Sequence, residues 1–412
     1  MDAKKFPIGF WNYPPVDAHT PDEVSRWTRC GMTWNLSPSF SYAKHSREQL
    51  TAFLDECHRQ GMQMNLRIEG LGFRDLLKDE EGYRKLFDRA CDDFGSHPAT
   101  EGFFIGDEPV GEAENRACVD AYKVMLSRAP ALSPFLNFYP YIKDFEERVL
   151  GGQSFPEWAK QFTAASGCRR ICYDCYAQLN EGEEGTDFYF LNLNKYSEMA
   201  RIAGIEIWTT LLCSAHYLYR PASEDDIRWQ LCTATASGCR GILWFLFYDK
   251  LASNNYRLSP IDPFGEETDT YRSLARIQKI FHAMYGELLM RLKWKKTWHF
   301  EKAYGDYPLF PEEGYGRIQR MISEQGLPGI LSIFEDVEGR EYAVMVNNSP
   351  FKPGMFEFVV PKDAKITRVE LNGTKLTDFK SFHHDAIWRE EADENIAGCY
   401  LAPGQMEVFT IE

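Results

Sequence analysis

Several features that would mark particular classes of protein are missing from this 412-residue sequence. No apolar run approaches the roughly 20 residues that a membrane-spanning helix needs. Only 46 basic residues stand against 61 acidic ones, and the net charge of -15 argues against a nucleic-acid backbone as the partner. The histidines occur in neither the H-x-H nor the H-E-x-x-H spacing, and no cofactor motif is visible. We therefore expect a soluble protein with no metal, cofactor, nucleic-acid or membrane partner.

The cysteines and the first residues bear on the cellular compartment. The 11 cysteines are odd in number and scattered, and most fall in predicted strands or helices. That usage is typical of buried thiols in a reducing compartment rather than of a disulfide framework. The segment Met1–Phe6 is not followed by the apolar stretch of a signal peptide. We expect a cytoplasmic protein, unless a signal peptide has already been removed, and the sequence does not indicate the oligomeric state.

Aromatic residues are abundant, at 15% of the chain, with 10 tryptophans and 21 tyrosines. One interpretation is a protein with extra aromatic side chains in its core and on its surface. The other is a sugar-binding cleft, because aromatic rings stack on the C–H faces of sugars and ligand sites are commonly lined by them. Composition alone leaves both interpretations open.

The first part of the chain repeats a unit in which a helix ends, a glycine follows and a β-rich strand begins. Glycine suits the left-handed conformation just past a helix end. These joints occur at Gly31, Gly61, Gly167, Gly204 and Gly238. The strand candidates are eight: 7–13, 32–38, 63–69, 101–107, 134–140, 170–176, 206–213 and 241–248. Eight alternating βα units predict a (β/α)8 barrel over residues 1–292.

A doubly wound open sheet is the rival architecture for such a pattern. That fold usually carries a glycine-rich phosphate loop after its first strand, and Trp11–Pro15 is no such loop. After residue 293 helical spacing gives way to short alternating runs, which predict a small β-sandwich over 293–412. Its strands are expected at 341–347, 356–360, 367–371 and 406–411, with Asn372-Gly373 as a hairpin turn.

The stretch Phe103–Pro109 is an apolar run that ends in two adjacent carboxylates and a proline. Residues through Ile105 suit a buried parallel strand, and Pro109 cannot extend its hydrogen-bond ladder. Asp107 and Glu108 are then expected at the strand's carboxyl end, where barrels place their chemistry. Paired carboxylates without compensation are costly there, which favours a functional role.

Three further acids are expected at the same rim: Glu69 ends strand three, Asp174 lies near the end of strand six, and Asp249 follows strand eight. Glycoside hydrolysis requires two carboxylates, roughly 5–5.5 Å apart for retention and ~6.5–9.5 Å for inversion. Structural interpretations compete with this one. Glu69 has Arg67 on its own strand face as a partner for an ion pair, and Asp249 beside Lys250 suits a solvated loop.

The motif Gly106-Asp107-Glu108-Pro109 resembles the Asn-Glu-Pro or Asp-Glu-Pro signature on strand four of one clan of (β/α)8 glycoside hydrolases. That clan includes β-galactosidases and cellulase-like enzymes. Two more segments are similar to it: Asn137–Pro140 to the Asn-x-Tyr-Pro of strand five, and Tyr173–Tyr176 to the Tyr-Asp-x-Tyr of strand six. The resemblance covers about residues 7–292. It implies that Glu108 is the general acid/base and that Asp107 contacts the sugar 2-hydroxyl.

Strand seven departs from the pattern of that clan, whose nucleophile is a glutamate at the strand's end. The only acidic residue in the segment 205–216 is Glu206, which lies at the start of the strand rather than at its end. Either Asp174 serves as nucleophile or as base in an inverting mechanism, or another rim acid does, or the protein binds glycans without cleaving them. Asp174 is favoured because Tyr176 shares its strand face and could donate to it.

The sequence thus predicts a glycoside hydrolase that acts on a small or partly degraded carbohydrate, with Glu108 and Asp174 as catalytic residues. The residues expected to contact the substrate are Asp107, Asn137, Tyr139, Tyr176, Trp244, Trp11, Glu69 and His216. The main alternative is a non-catalytic glycan-binding barrel that lacks the strand-seven nucleophile. A lyase or isomerase that uses the same acids is a third possibility.

Overall fold

The first part of the chain forms a parallel eight-stranded sheet that curls into a barrel. The computed structural model describes residues 5–179, 185–249, 255–370, 373, 375–381 and 385–412. The barrel strands follow the order β1-β8-β7-β6-β5-β4-β3-β2. They are β1 (Ile8–Phe10), β2 (Trp34–Leu36), β3 (Gln63–Leu66), β4 (Thr100–Asp107), β5 (Phe135–Phe138), β6 (Arg170–Asp174), β7 (Glu206–Leu212) and β8 (Gly241–Phe245). Each coincides with one of the eight predicted strands, so the predicted barrel is confirmed.

Hydrogen bonds across β1 and β2 close the barrel. The Thr33 backbone N–H donates to the Ile8 carbonyl at 2.9 Å, and the Phe10 N–H donates to the side-chain oxygen of Asn35 at 3.0 Å. Asn35 is fully buried in this seam. The buried side-chain oxygen of Asn35 therefore replaces a backbone carbonyl as the acceptor for the Phe10 N–H.

The helices cover the outside of the barrel between successive strands. They are α1 (Glu23–Arg29), α2 (Arg47–Gln60), α3 (Phe73–Lys78), α4 (Glu80–Ala90), α5 (Gly111–Arg128), α6 (Phe145–Arg148), α7 (Phe155–Ser166), α8 (Thr186–Ala203), α9 (Glu224–Ala236), α10 (Asp269–Phe281) and α11 (Glu287–Arg291). The glycine that follows α2, Gly61, has a φ of 70°, and the other four predicted joint glycines also have positive φ. A left-handed residue at each joint ends the helix and turns the chain directly into the next strand.

Alternate residues of each strand pack inward or outward. The inward-facing cluster comprises Trp11, Trp34, Leu36, Phe135, Cys172, Trp208, Leu243 and Leu246. Their outward-facing neighbours join the much larger cluster between the strands and the helices. At the amino-terminal end of the interior, Arg170 forms an ion pair with Glu101 at 2.7 Å. The interior is therefore a packed core, and chemistry is possible only at its rims.

The carboxyl-terminal part forms two antiparallel sheets, as predicted for a β-sandwich. Its strands are β9 (Lys293–Phe300), β10 (Arg320–Ser323), β11 (Gly329–Glu335), β12 (Glu341–Asn347), β13 (Gly354–Pro361), β14 (Ile366–Val369), β15 (Leu376–Asp378), β16 (Ala386–Glu390), β17 (Glu394–Leu401) and β18 (Met406–Ile411). The sheets have the orders β10-β13-β17-β16 and β15-β14-β18-β12-β11-β9. β14 and β15 form the predicted hairpin, although Asn372 in its turn lies outside the described residues.

The barrel and the sandwich meet at Leu292, between α11 and β9. They also share a core, because Ile330, Val344 and Val408 of the six-stranded sheet belong to the same cluster as the barrel helices. Trp229 on α9 donates its indole N–H to the side-chain oxygen of Asn348 at 2.9 Å. The barrel and the sandwich therefore pack against each other. The domain boundary between residues 292 and 293 stays a prediction.

The 11 cysteines are all buried and none forms a disulfide, as the sequence predicts. Burial raises the pKa of many of these thiols, including those of Cys172 and Cys175 on and beside β6. A raised pKa keeps a thiol protonated and unreactive. Throughout the part of the chain that the structure describes, no helix combines the length and apolar character needed to cross a membrane.

Candidate active site

A β-bulge in β4 directs the two adjacent acids toward the barrel mouth. Phe104 packs inside the barrel and Ile105 outside, and the pairing with β5 shifts between Phe104 and Gly106. The extra residue brings Asp107 opposite Asn137. Gly106 makes the bulge possible, because its φ is 145° and a Cβ there would lie 2.3 Å from the ring of Phe73 on α3. Bulges of this kind are common beside active sites, where they re-aim a side chain.

The backbone of Glu108 adopts a left-handed conformation, with a φ of 48°. Such a conformation is uncommon for a residue with a side chain, and the surrounding structure must hold it in place. The Glu108 N–H donates to the Asn137 carbonyl at 2.9 Å. Arg74 on α3 donates to the carbonyls of Asp107 and Glu108 at 3.2 and 3.1 Å.

Glu114 on α5 completes this support. It accepts two hydrogen bonds from Arg74, at 2.8 and 2.9 Å, and a third from the Val110 N–H at 2.9 Å. The pair therefore ties the loop that follows β4 to two helices. These contacts hold the backbone of Glu108 in place without using its carboxyl group.

Asn137 on β5 joins the acids of the two neighbouring strands. Its side-chain N–H2 group donates to Asp107 Oδ1 at 3.0 Å and to Asp174 Oδ1 at 2.8 Å. Asn137 is buried, whereas both aspartates and Glu108 retain partial solvent access. Three consecutive strands thus bring three carboxyl groups to one part of the rim. The amide of Asn137 is occupied by the aspartates, so it orients these acids.

Burial, together with neighbouring negative charge at Glu108 and Asp174, raises the pKa values of this acid cluster. Burial, and next the charge of Asp107, raises the pKa of Glu108 to about 7, while Arg74 acts in the opposite direction. Burial also raises the pKa of Asp174 well above its ordinary value, and the charges of Glu108 and Asp107 add to that effect. The pKa of Asp107 is raised by burial despite the hydrogen bond from Asn137. A group that titrates near neutral pH is suited to general acid–base catalysis.

The other two rim acids occupy different surroundings. Glu69 is 61% exposed and lies 3.9 Å from Lys44, so the predicted sugar contact at Glu69 is corrected to an exposed ion pair. Its expected partner Arg67 instead donates to the backbone carbonyl of Asn12. Asp249 follows β8, where its N–H donates to the Ile261 carbonyl at 2.9 Å. By contrast, the charge of Asp107 raises the pKa of both Glu108 and Asp174.

The predicted sugar contact at Trp244 is wrong for a reason of strand geometry, whereas the one at Trp11 stays a prediction. Trp244 is fully buried outside the barrel wall, where its indole N–H donates to Gln278 on α10 at 3.3 Å. The next residue, Phe245, points to the barrel mouth instead. Trp11 lies inside the barrel, 3% exposed, and donates to Thr210 at 3.1 Å. It therefore forms part of the packed floor beneath the rim.

A group of aromatic rings borders the acids on the β6, β7 and β8 side. Tyr176 stacks on Phe245 with ring centroids 5.9 Å apart. His216 contacts Phe245 at 5.1 Å and stacks on Tyr256 at 5.1 Å. Tyr219 packs edge-on against Tyr176 at 5.3 Å. Burial and the nearby charge of Asp174 raise the pKa of Tyr176, so its hydroxyl remains a hydrogen-bond donor.

Two residues at the site were not predicted as site residues, Tyr13 after β1 and Arg67 after β3. The Arg67 guanidinium lies 5.0 Å from the Tyr13 ring and 5.5 Å from that of Phe104. Burial raises the pKa of Tyr13, and the charges of Asp107 and Asp174 add to the effect. Burial lowers the pKa of Arg67, while Asp107 counters this. The one sequence signal for Tyr13 is its place in the aromatic segment Trp11–Pro15, directly after the first strand.

Tyr139 lies two residues after Asn137 and is half-buried against the main core. Its carbonyl accepts a hydrogen bond from the Tyr196 hydroxyl on α8.

The end of β7 has no carboxylate, because residues 207–222 contain neither Asp nor Glu. Among the described residues, no group of three or more His, Cys, Asp or Glu side chains has an arrangement that could hold a metal ion.

A cavity of about 710 Å³ opens at the opposite, amino-terminal end of the barrel. It is lined by residues such as Thr33, Gly61 and His282, which precede strands or follow α10. Among the described residues that line it, Glu287 is the one acid. The acid cluster at the carboxyl rim, with its shifted pKa values, is therefore the stronger candidate for catalysis.

Solved structures share the fold of this chain at low sequence identity. No family model and no curated protein sequence matches it. A family 5 glycoside hydrolase from Bacteroides vulgatus has a TM-score of 0.57 at 10% identity, over 98% of this chain and 89% of that one. A family 39 glycoside hydrolase from Bacteroides cellulosilyticus has a TM-score of 0.53 at 9% identity, over 100% and 81%. The fold is that of barrel glycoside hydrolases.

A β-galactosidase from a psychrophilic Marinomonas is a third structure with this fold, with a TM-score of 0.52 at 12% identity. The match covers 69% of this chain and 62% of that enzyme, so the chain spans less than two thirds of it. Identities this low establish the fold alone. The activity has to be argued from the site itself.

Proposed function

We propose that this protein is a glycoside hydrolase whose proton donor is Glu108. The observation that carries the proposal is the pair formed by Glu108, with a pKa raised to about 7, and Asp174, whose pKa is raised by burial and then by the charge of Glu108. Two interacting carboxyl groups whose environments favour a retained proton are the arrangement that glycosidic bond cleavage requires. Their place at the carboxyl rim of a barrel is where this fold carries its active sites.

The reaction would begin with one proton shared by the two acids. Because like charges disfavour a doubly ionised pair, the pair titrates as a unit. In the productive form, the proton lies on Glu108 and the negative charge lies on Asp174, where the Asn137 amide donates to it. Glu108 protonates the leaving glycosidic oxygen. Asp174 then either attacks the anomeric carbon or accepts a proton from the attacking water, and the distance between the carboxyl groups selects between these routes.

The surrounding residues have distinct roles in this proposal. Asp107 contacts the sugar hydroxyl next to the reacting carbon, while Asn137 holds Asp107 and Asp174 in register. The rings of Tyr176 and Phe245 offer apolar faces to the C–H surface of the sugar. The substrate is a carbohydrate, small or already partly degraded.

A non-catalytic glycan-binding protein is the second candidate, and one observation favours it. The clan that the sequence resembles places its nucleophile at the end of strand seven, and residues 207–222 carry no acid at all. Such a protein would retain the aromatic rings and the buried acids but would not turn over a substrate. The two candidates make opposite predictions for hydrolysis.

A panel of activated aryl glycosides tests the proposal. Wild-type protein should hydrolyse at least one of them, and Glu108→Gln should lose about 10²- to 10⁴-fold in kcat/KM on substrates with poor leaving groups, which need protonation. Asp174→Asn should lose activity on all substrates. Glu69→Gln, which removes an exposed acid from the same rim, is the matched control and should behave as wild type.

The outcomes separate the candidates. Near-full activity of Glu108→Gln on the substrates with poor leaving groups would refute the assignment of the proton donor. Glycan binding without turnover in the wild type would instead establish the non-catalytic alternative. Addition of azide to Glu108→Ala with an activated aryl glycoside gives a further check on the retaining route. Asp174 would displace the aryl oxide and form a glycosyl ester, azide would then displace Asp174 from the anomeric carbon, and the glycosyl azide would have the configuration of the substrate.

A further inference from the structure

A tight turn after β7 exposes two large apolar side chains beside the candidate active site. His216 and Tyr219 pair through their backbones, with N–H to carbonyl distances of 3.2 and 2.7 Å. Tyr217 and Leu218 form the two-residue tip, and they are 59% and 58% exposed. Turns of this length bury nothing at their tips, so polar residues and glycine are the ordinary occupants.

The backbone at Tyr217 makes this choice of residue costly. Its φ is 44°, a conformation in which a bulky side chain is an outlier and glycine is the usual residue. A tyrosine here forgoes the stability that glycine would give, and its ring gains little burial in return. Strain of this kind that the fold does not need is a reason to look for a function.

The Tyr217 ring continues the aromatic border of the site into solvent. Its centroid lies 6.3 Å from that of Tyr256, and the Tyr256 centroid lies 6.1 Å from that of Phe245. Phe245 in turn stacks on Tyr176 at 5.9 Å, beside Asp174. The rings thus form an unbroken series from the buried acids to the surface.

The facing loop has the same character. Ala215 and Arg257 exchange two backbone hydrogen bonds, both of 3.0 Å, and so fix the loop after β8 against the turn. Leu258 on that loop is 53% exposed and has a φ of 56°. A second bulky apolar residue in a left-handed conformation therefore lies on the loop that pairs with the Tyr217 turn.

We propose that Tyr217 is a binding site for a further sugar residue of the substrate, beyond the sugar whose bond is cleaved. The inference rests on the proposed function and extends it, because it makes the substrate an oligosaccharide that runs from the acids over Tyr256 to Tyr217. A glycan fits this surface because aromatic faces match the C–H faces of sugars along a continuous path. The path begins at the reacting carboxyls, which is where such a chain has to start.

Chain-length dependence tests this site. The probes are the aryl glycoside hydrolysed best in a panel and the unbranched oligosaccharides of two to five residues of the same sugar. Wild-type kcat/KM should rise with length, and Tyr217→Ala should lose about five- to tenfold more on the longest oligosaccharide than on the aryl glycoside. Tyr217→Phe retains the ring and should restore the wild-type pattern.

Tyr400→Ala is the matched control, since Tyr400 is a 50% exposed tyrosine on β17 of the sandwich. Its profile should match that of the wild type. An equal loss of Tyr217→Ala on every substrate, or none on any, would overturn the proposal. So would a wild-type rate that does not depend on length.

Binding provides a readout that does not depend on turnover. In the Glu108→Gln background, affinity for the same oligosaccharides is measured by isothermal titration calorimetry, with and without Tyr217→Ala. A length-dependent affinity that Tyr217→Ala removes would support the Tyr217 site even if the wild type hydrolyses nothing, in which case only the proposed catalysis fails. Affinity that is independent of both length and Tyr217, or an absence of binding, would refute the site.

Discussion

The raised pKa of Glu108 makes the stability of this protein depend on pH in a way that needs no substrate to detect. The ordinary pKa of the carboxyl is 4.5, and in the folded protein it is raised to about 7, chiefly by burial. The folded state therefore binds this proton more tightly than the unfolded state does. The stability that Glu108 contributes is fully present below pH 4.5 and is lost as the pH rises through 7.

The magnitude follows from the difference between the two pKa values, about 2.5 units. At about 1.4 kcal/mol per unit, the upper bound on the cost of ionised Glu108 to the folded state above pH 7 is about 3 kcal/mol, and solvent screening of this half-buried carboxyl lowers the expected cost to about 2 kcal/mol. Glu108→Gln removes that cost, because a neutral amide has no charge to bury. The free energy of unfolding of the variant minus that of the wild type should therefore rise by about 2 kcal/mol between pH 4.5 and pH 8. Loss of the Glu108 charge also lets Asp174 ionise more easily, which adds in the same direction.

Urea unfolding followed by tryptophan fluorescence, at half-unit steps of pH, measures this difference. Glu69→Gln is the control for removing one exposed acid from the same rim. A rise of equal size in the control would assign the effect to net charge rather than to burial at the site. A difference between Glu108→Gln and the wild type that stays level across this range would refute the reasoning about the proton donor.

Two further predictions concern the backbone and the strand faces. Gly106→Ala should lower the free energy of unfolding by about 2 kcal/mol or more, measured by the same urea unfolding. The added Cβ would lie 2.3 Å from the Phe73 ring, and the φ of 145° at this position is strained for alanine. An unchanged free energy of unfolding would contradict the bulge geometry. Phe245→Ala should lower kcat/KM about tenfold or more, whereas Trp244→Phe should lower stability and leave kcat/KM within about twofold, because only Phe245 borders the acids. The reverse pattern would show that the two faces of β8 have been exchanged.

The order of the barrel elements could be predicted because its signals are local. A left-handed glycine just past a helix end, as at Gly61, depends on the few residues around it. Apolar strands such as β8 and the acid pair after β4 are likewise visible in short windows of sequence. The sandwich was less visible. Six of its ten strands were not predicted, namely β9, β10, β11, β15, β16 and β17. β9, for example, carries three lysines among its aromatic residues.

The direction of individual side chains could not be predicted in the same way. Strands of a parallel barrel are apolar on both faces, so the alternation that distinguishes the faces of a half-buried strand is absent. Trp244 and Phe245 are equally apolar, and only the pairing of β8 with its neighbours decides which one faces the mouth. In β4 the bulge changes the alternation midway, and its cause, the approach of Phe73 to Gly106, is a tertiary contact.

The position of the acids explains how a barrel without a strand-seven carboxylate can still be arranged for acid catalysis. Asp107, Asn137 and Asp174 come from β4, β5 and β6, and the amide in the middle donates to both aspartates. The charge of the site is therefore gathered on one arc of the rim. The neighbouring arc, at the ends of β7 and β8, carries rings instead, including Phe245 and His216. Because the second carboxyl group already lies two strands from Glu108, an acid on β7 is not required for a pair, and the end of β7 is free to hold the turn that exposes Tyr217.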